Sequence, residues 1–148
     1  MNLIFGIFLI LITFFFMEFI AWATHKYIMH GFLWYLHKDH HVVNKNHKFQ
    51  KNDFFFLIFA IPSMLLIYIG YEYDNICFFI GFGIALYGLG YFIVHEIIIH
   101  QRLPFLKRSN NIYIKAIRMA HKIHHKKLGK YGGTSFGMLI VSRKYFKL

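Results

Sequence analysis

Three long apolar stretches alternate with polar, histidine-bearing segments along the 148-residue chain. Residues 3–23, 54–71 and 76–94 each come close to the roughly 20 apolar residues that a helix needs to cross a bilayer. Glu18 interrupts the first stretch and Pro62 the second, and a membrane helix tolerates such a proline. Residues 136–141 are too short to span, and we expect them to pack at the interface or against a site. The pattern predicts an all-α integral membrane protein with about three transmembrane helices.

The first stretch could instead be a cleaved signal peptide. It lacks a basic leading region and a small-x-small cleavage site, so we interpret it as a retained anchor. The third stretch carries small residues that can let helices approach closely, although glycine is also common in membrane helices generally. These small residues are Gly81, Gly83, Gly88 and Gly90.

The distribution of charge predicts the orientation. Lys and Arg total 17 against six acids, a formal net charge of +11. Five basic residues lie in 24–53 and the other twelve in 95–148, whereas the link at 71–75 holds two acids and no base. The positive-inside rule therefore predicts a multi-pass protein of the cytoplasmic (inner) membrane, with both basic segments cytoplasmic and the N-terminus outside. We expect this charge to act on membrane lipid and an acidic protein partner rather than on nucleic acid.

Ten of the eleven histidines form two copies of one spacing pattern. Each copy has two histidines with four residues between them, followed by the triplet H-x2-H-H, and only His47 is left over. The first copy consists of His25, His30, His37, His40 and His41, and the second of His95, His100, His121, His124 and His125. Two predicted spans separate the copies, so both return to the same membrane face. The repeat predicts a metal site built from both copies.

On an α-helix, the triplet and the pair of each copy place their histidines differently. Residues at i, i+3 and i+4 share one helix face, so His37, His40 and His41 can converge on one metal, as can the triplet at 121–125. Five residues at about 100° each place the second histidine of a pair about 140° round from the first. We therefore predict a helix end, a π-bulge or a turn between His25 and His30, and again between 95 and 100.

Ligand type alone leaves the metal open, because imidazole suits zinc, copper, iron and nickel. Ten histidines in two matching sets favour two metals, and a paired iron centre that activates oxygen is a natural use beside an apolar medium. The Glu-x-x-His pairs of the soluble di-iron bundles are absent. Packing histidines, a membrane-surface patch, and a metal transporter or sensor are the alternatives. Transport favours ligands inside the spans, whereas these lie after the first span and around the end of the third.

Four stretches of the sequence are more specific than the histidine spacing alone. They read HKYIMHGFLWYLHKDHH at 25–41, HEIIIHQRLPF at 95–105, AHKIHHKKLGK at 120–130 and FGMLIVSRKYF at 136–146. The chain resembles the bacterial β-carotene 3-hydroxylases, within the membrane fatty acid hydroxylase superfamily. The histidines alone indicate only the superfamily, which includes desaturases and sterol hydroxylases, whereas MHG-F-LW, HQR-x-PF and FGML point to the carotenoid branch. Where family members often carry Asp-Gly and a proline, this chain has Glu96-Ile97 and Ser142-Arg143.

The resemblance implies a single fatty acid hydroxylase-like domain over residues 1–148. It implies an oxygen-dependent monooxygenase that hydroxylates C3 of β-ionone rings, taking β-carotene from the bilayer through β-cryptoxanthin to zeaxanthin. It also implies two non-haem iron ions held by the ten histidines, O2 as co-substrate, and electrons from reduced ferredoxin and its NAD(P)H reductase. The chain has no nucleotide-binding glycine motif and only Cys77, so it has no set of cysteines for an iron–sulfur cluster. A fatty acid or sterol hydroxylase or desaturase is the alternative activity.

Three charged residues beside the motifs are candidates for supporting roles. Asp39 and Glu96 could each accept the outer N–H of a ligand histidine, or could be surface charges near the interface. Arg102 is a candidate partner for one of them or for a lipid phosphate.

Overall fold

The computed structural model describes residues 2–42, 49–103 and 108–147. These ranges contain five α-helices and no strand: α1 (Leu3–Ala23), α2 (Trp34–His41), α3 (Phe55–Glu72), α4 (Cys77–Tyr91) and α5 (Ile112–His125). Two π-helical segments, Thr24–Phe32 and Phe92–Ile99, continue α1 and α4, and 3-10 turns occupy Lys51–Phe54 and Arg143–Lys147. His47, and Pro104 and Phe105 of the HQR-x-PF phrase, lie outside the described residues.

Three continuous helical stretches are long and apolar enough to cross a membrane, which confirms the predicted number of spans. They are Leu3–Phe32, Lys51–Glu72 and Cys77–Ile99. The first and third run past the predicted ends because the π-helical segments carry the helix into the histidine motifs. Large apolar side chains such as Phe8 and Leu65 are more than half exposed, as expected for helices whose outer surface faces lipid.

Two of the four candidate glycines make close helix contacts. A Cβ atom on Gly81 would lie 2.7 Å from the backbone nitrogen of Ile67 on α3, and one on Gly83 would lie 2.9 Å from the carbonyl oxygen of Ile10 on α1. Because glycine has no side chain, α4 can pack closely against both α1 and α3 at these positions. Gly88 has open space around it, so close packing does not explain that glycine.

Helix α5 is amphipathic and lies on the same end of the molecule as the π-helical segments. Its first turn is capped by Asn111, whose side chain accepts from the backbone N–H groups of Tyr113 and Ile114 at 2.9 and 3.2 Å. Arg118 Nε donates to the carbonyl of Ile98 at 2.8 Å, which fixes α5 to the end of the third span. The helix buries Ala116 against the C-terminal turn and directs its histidines inward.

Candidate metal centre

The chain departs from a regular α-helix at both histidine pairs, and of the three predicted forms (a helix end, a π-bulge or a turn) the structure shows a π-helical turn. A π-helix bonds residue i to i+5, so it brings the fifth residue back over the first. The backbone N–H of His100 donates to the carbonyl of His95 at 2.9 Å, and the two ring centroids are 4.4 Å apart. The rings of His25 and His30 are similarly close, at 5.3 Å. The extra residue per turn aims both members of each pair at one point.

Five histidines converge in what we call the first histidine group. One ring nitrogen from each lies within 4.8 Å of the others. The shortest contacts join Nε2 atoms: His25 to His37 at 3.1 Å, His37 to His41 at 3.2 Å, and His30 to His124 at 3.2 Å. Four members come from the first sequence copy, and only His124 comes from the second.

Four histidines form the second histidine group, with the same spread of nitrogens. Its Nε2 contacts are His40 to His95 at 3.3 Å, His95 to His100 at 3.2 Å, and His100 to His121 at 2.9 Å. Three members come from the second sequence copy, and His40 comes from the first. The structure thus brings nine of the ten predicted histidines into two groups.

The structure divides each triplet between the two groups, although the helical spacing would allow all three histidines to share one metal. In the first triplet, His37 and His41 belong to the first group and His40 to the second. In the second triplet, His121 belongs to the second group and His124 to the first. On an ideal helix the i+3 and i+4 side chains lie about 100° apart, whereas i and i+4 differ by only about 40°. The middle histidine of each triplet therefore diverges from its neighbours, and the two copies exchange one ligand.

His125, the tenth histidine, lies between the groups. Its ring is 4.4 Å from that of His121, 4.8 Å from that of His40 and 4.5 Å from that of His41. Among the described residues its Nε2 atom is buried and has no hydrogen-bond partner. A buried nitrogen without a partner is costly unless something outside the protein binds it. In the repeat His125 corresponds to His41, which is a member of the first group.

Seven of the converging histidines have an acceptor at the opposite ring nitrogen, Nδ1. The acceptors are the carbonyl oxygens of Phe136 for His25 (3.0 Å), Lys130 for His30 (3.0 Å), Lys127 for His41 (3.0 Å) and Thr134 for His124 (2.8 Å), and the side chains of Asn52 for His37 (2.6 Å), Gln50 for His40 (2.8 Å) and Glu96 for His95 (2.5 Å). A carbonyl oxygen accepts only, so it fixes the proton on Nδ1 and leaves Nε2 as a bare lone pair. This arrangement is typical of metal-bound histidines.

The contacts between Nε2 atoms fit a shared metal ion at each group. If Nδ1 carries the proton on both rings, two Nε2 lone pairs about 3 Å apart repel each other, and a cation between them removes the repulsion. Nitrogens about 2.1 Å from a metal are separated by about 3.0 Å at right angles and about 3.4 Å in a tetrahedron. The observed separations of 2.9–3.3 Å fall at that spacing.

Burial keeps these imidazoles neutral and available as ligands. Loss of water lowers the pKa of His41 and of His124, each to about 4, and that of His100 to about 3, with neighbouring histidines adding to the effect. A lowered histidine pKa means that the neutral ring is the main form at neutral pH. The neutral ring is the form that binds a metal.

The three charged residues near the motifs differ in their contacts. Glu96 accepts from His95 Nδ1 through Oε1, and its Oε2 lies 2.6 Å from Arg102 Nε, so both predicted contacts are present. Arg102 also reaches Asp53 at 3.3 Å. Asp39 instead accepts the backbone N–H of Lys51 at 2.6 Å, so it holds the turn before α3.

The C-terminal segment at 133–141 contacts the first histidine group through Gly133, Thr134 and Phe136. Of the two predicted positions for residues 136–141, at the interface or against a site, Phe136 takes the second. The segment is held by Glu18 on α1, which is 5% exposed. Glu18 Oε1 accepts the backbone N–H groups of Met138, Leu139 and Ile140 at 2.8, 2.9 and 3.0 Å, and Oε2 accepts from the Tyr87 hydroxyl at 2.7 Å. Sequence reasoning noted Glu18 only as an interruption, although a lone acid in an apolar span is a signal of function.

Ser135 takes a left-handed backbone conformation, with φ 60°, between the two carbonyls that orient His124 and His25. For a residue other than glycine this costs on the order of 1–3 kcal/mol, and such costs occur where the surroundings impose the geometry. The turn lets the carbonyls of Thr134 and Phe136 both meet ligand histidines. Backbone acceptors of this kind leave no trace in residue types, which is why the sequence did not reveal them.

Comparison with known proteins agrees with this site. The fatty acid hydroxylase family matches residues 10–142. A β-carotene hydroxylase of Pantoea ananas is 46% identical over 123 residues, covering 83% of this chain and 70% of the relative. One from Pseudescherichia vulneris is 42% identical over 123 residues (83% and 69%), and the chloroplastic β-carotene 3-hydroxylase of Haematococcus lacustris is 39% identical over 130 residues (84% and 39%).

No solved structure matches the chain. The family match spans both histidine copies and all three membrane-spanning stretches but for the beginning of the first. The chain belongs to the fatty acid hydroxylase family and, within it, to the group of the β-carotene hydroxylases.

Proposed function

We propose that this protein is a membrane non-haem di-iron monooxygenase that hydroxylates C3 of β-ionone rings, converting β-carotene through β-cryptoxanthin to zeaxanthin. The observation that carries the proposal is the convergence of Nε2 atoms into two groups, in a chain whose bacterial relatives are named β-carotene hydroxylases. The position on the ring is supported by the name of the Haematococcus relative, a β-carotene 3-hydroxylase.

Each histidine group would hold one iron ion. The first would use His25, His30, His37, His41 and His124; the second would use His40, His95, His100 and His121, with His125. When bound, iron would supply the activation of O2, which no protein side chain in this site can perform. Overall, a C3–H bond is replaced by C3–OH, the second oxygen atom leaves as water, and two electrons and two protons come from outside the substrate.

The protein's own residues contribute orientation and exclusion of water. The seven acceptors at Nδ1 fix the ring planes, and a metal-bound histidine with such a partner is a stronger ligand. His37, His40 and His95 are each at most 2% exposed, so water has little access to the ligand nitrogens. A dry site protects the reaction from loss of its oxidant to solvent.

Electrons would come from a partner, and we propose reduced ferredoxin with its NAD(P)H reductase. Helix α5 buries His121 and His124 and exposes Lys115 and Lys122. Lys126, directly after the helix, is also exposed. An acidic electron carrier would be drawn to such a face, which lies directly behind the site. The same net charge of +11 supports contact with anionic membrane lipid.

We further propose that the histidine end faces the cytoplasm, in the inner membrane. The basic residues of 24–53 and 95–148 support this orientation. Lys126→Cys in a Cys77→Ser background should react with a membrane-impermeant maleimide in inside-out vesicles and stay unmodified in intact spheroplasts. The reverse result would contradict the orientation.

The reaction is tested by expressing the chain in a bacterial host that accumulates β-carotene, with a competent ferredoxin, and separating the pigments by chromatography. Oxygen-dependent β-cryptoxanthin and zeaxanthin are expected, and His124→Ala should abolish them while the protein still inserts into the membrane. Unchanged β-carotene in the presence of oxygen, with the protein in the membrane, would contradict the proposal. Hydroxylated membrane lipid in a host that makes no carotenoid would point to another branch of the family.

A further inference from the structure

A groove of about 520 Å³ lies between α1 and the C-terminal segment. Its apolar walls come from Phe15, Phe19, Trp22, Phe136, Ile140 and Val141. This volume falls within the range of about 300–1,000 Å³ that is usual for small-molecule sites. Three of its lining residues also support the first histidine group: Thr134 and Phe136 through their carbonyls, and Glu18 through its bonds to the C-terminal segment.

The outer side of the groove lies on the surface that faces lipid. Phe15 and Phe19 belong to the first membrane-spanning stretch and are 68% and 55% exposed. Ile140, on the opposite wall, is 74% exposed. An apolar molecule dissolved in the bilayer could therefore enter the groove sideways without crossing water.

The inner end of the groove is one side chain away from the first histidine group. The Phe136 ring lies 5.4 Å from the ring of His25 and 5.2 Å from those of His30 and His124, measured between centroids. Its other side lines the groove. A second, smaller cavity is lined by side chains of α5 and Tyr145 and includes none of the converging histidines.

The acidic residue that lines the groove has both carboxylate oxygens engaged in hydrogen bonds within the protein. Glu18 lines the groove, but both its carboxylate oxygens are occupied, by three backbone N–H groups and by the Tyr87 hydroxyl. The remaining polar lining is hydroxyl groups and Lys144, whose Nζ lies over the Tyr145 ring at 4.9 Å. The long walls are aromatic and aliphatic, which suits a flat hydrocarbon more than a lipid headgroup.

We propose that this groove binds the end ring of a carotenoid and delivers it to the first histidine group, with Phe136 as the barrier between them. The inference rests on the proposed function and deepens it, because it names where the substrate lies and which of the two groups it meets. Phe136 is then a positioning residue: it sets how far the ring can advance, and its carbonyl orients His25.

The first test fills the groove. Ile140→Trp should lower kcat/KM for β-carotene by about tenfold or more, since steric misfit in an apolar site has effects of that order, while iron content stays at the wild-type level. Ile61→Trp on α3 is the matched control, because Ile61 is also exposed, at 52%, but lies away from the groove. Wild-type kinetics in Ile140→Trp would overturn the proposal.

The second test measures binding without turnover. In a Cys77→Ser background, Ile140→Cys and Ile61→Cys proteins in detergent micelles are treated anaerobically with a lipid-soluble maleimide. Added β-carotene should slow modification at position 140 several-fold and leave position 61 unaffected. Equal modification rates at position 140 with and without β-carotene would overturn the proposal, and so would protection by a saturated fatty acid in place of β-carotene.

The two tests separate this inference from the proposed function. If β-carotene protects position 140 but the wild-type chain forms no hydroxylated carotenoid, the groove stands and the assigned reaction fails. If wild-type and Ile140→Trp both form zeaxanthin at the same rate, the reaction stands and the groove assignment fails.

Discussion

Glu18 Oε1 lies 2.8 Å from the backbone nitrogen of Met138, 120 residues further along the chain. This bond joins the middle of the first membrane-spanning helix to the C-terminal segment. The same segment supplies the carbonyls of Thr134 and Phe136 to His124 and His25. A carboxylate in the apolar span thus determines where two candidate ligands of the first histidine group point.

Glu18→Ala should destabilise the protein and weaken metal binding at the first group. The change leaves the backbone N–H groups of Met138, Leu139 and Ile140 without an acceptor. A buried donor without an acceptor costs roughly 1–3 kcal/mol. Thermal unfolding in detergent and iron content per chain measure the two effects. Glu18→Gln keeps an acceptor oxygen for these N–H groups, so it should retain most of both properties.

Glu72→Ala provides the control for this change, because Glu72 is an exposed residue at the end of α3. It should leave the melting temperature and iron content unchanged. Equal effects of Glu72→Ala and Glu18→Ala would show that the loss of an acid, rather than the loss of the Glu18 contacts, is responsible.

Histidines from the same triplet should affect different metals. His124→Ala should empty the first histidine group and His121→Ala the second, because the side chains point to different groups although they lie three residues apart. Each variant should fall from two iron ions per chain towards one, and Mössbauer spectra should show that a different component has been lost in each. His47→Ala, outside the repeat, should keep both.

Loss of the same spectral component in both variants would contradict this division of ligands. It would indicate instead that each triplet serves a single metal, as the helical spacing alone allows.

The spans, and a departure from the regular α-helix at each histidine pair, could be predicted from sequence because each follows from a local rule. Apolar length predicted the three spans, and a spacing of five residues is incompatible with convergence on a regular α-helix. Helix geometry separates the middle histidine of each triplet from its neighbour by about 100°, but it does not show which group His40 or His124 then faces, because that depends on how α2 and α5 are oriented. The orientation of α5 depends on contacts distant in sequence, such as that of Arg118 with Ile98.

The acceptors that orient the histidine rings could likewise be predicted from sequence only in part. Glu96 follows His95 directly and does accept from it, whereas Asp39, which directly precedes His40, bonds to Lys51 instead. Asn52 supports His37 from fifteen residues away, and Phe136 supports His25 through a carbonyl that any residue would provide. Acceptors that depend on tertiary packing or on the backbone leave no pattern in the residue types.

Glu96→Gln should weaken iron binding at the second group. The glutamine keeps the size of the side chain but removes the negative charge that faces His95 Nδ1 and Arg102 Nε. Changes in such supporting partners typically lower metal affinity about 10- to 100-fold. Competition with a chelator, followed by iron analysis, measures the change.

Asp39→Asn is the matched comparison for Glu96→Gln, since Asp39 also lies beside a candidate ligand in sequence but accepts from the backbone of Lys51 rather than from a histidine. Its chelator sensitivity should stay near that of the wild type. Equal weakening in the two variants would indicate a general effect of charge near the site.

Gly81→Ala should destabilise the packing of the spans, and Gly88→Ala should not. A Cβ at position 81 would lie 2.7 Å from the backbone nitrogen of Ile67 and 2.8 Å from the carbonyl oxygen of Ser63, so α3 and α4 would have to separate. Overpacking of this kind costs about 1–3 kcal/mol. A Cβ at position 88 meets nothing within 4 Å, and alanine favours the helix, so that variant should be as stable as the wild type or slightly more stable. Unfolding followed by circular dichroism in detergent compares the two, and equal destabilisation would contradict the observed close approach of α3 and α4.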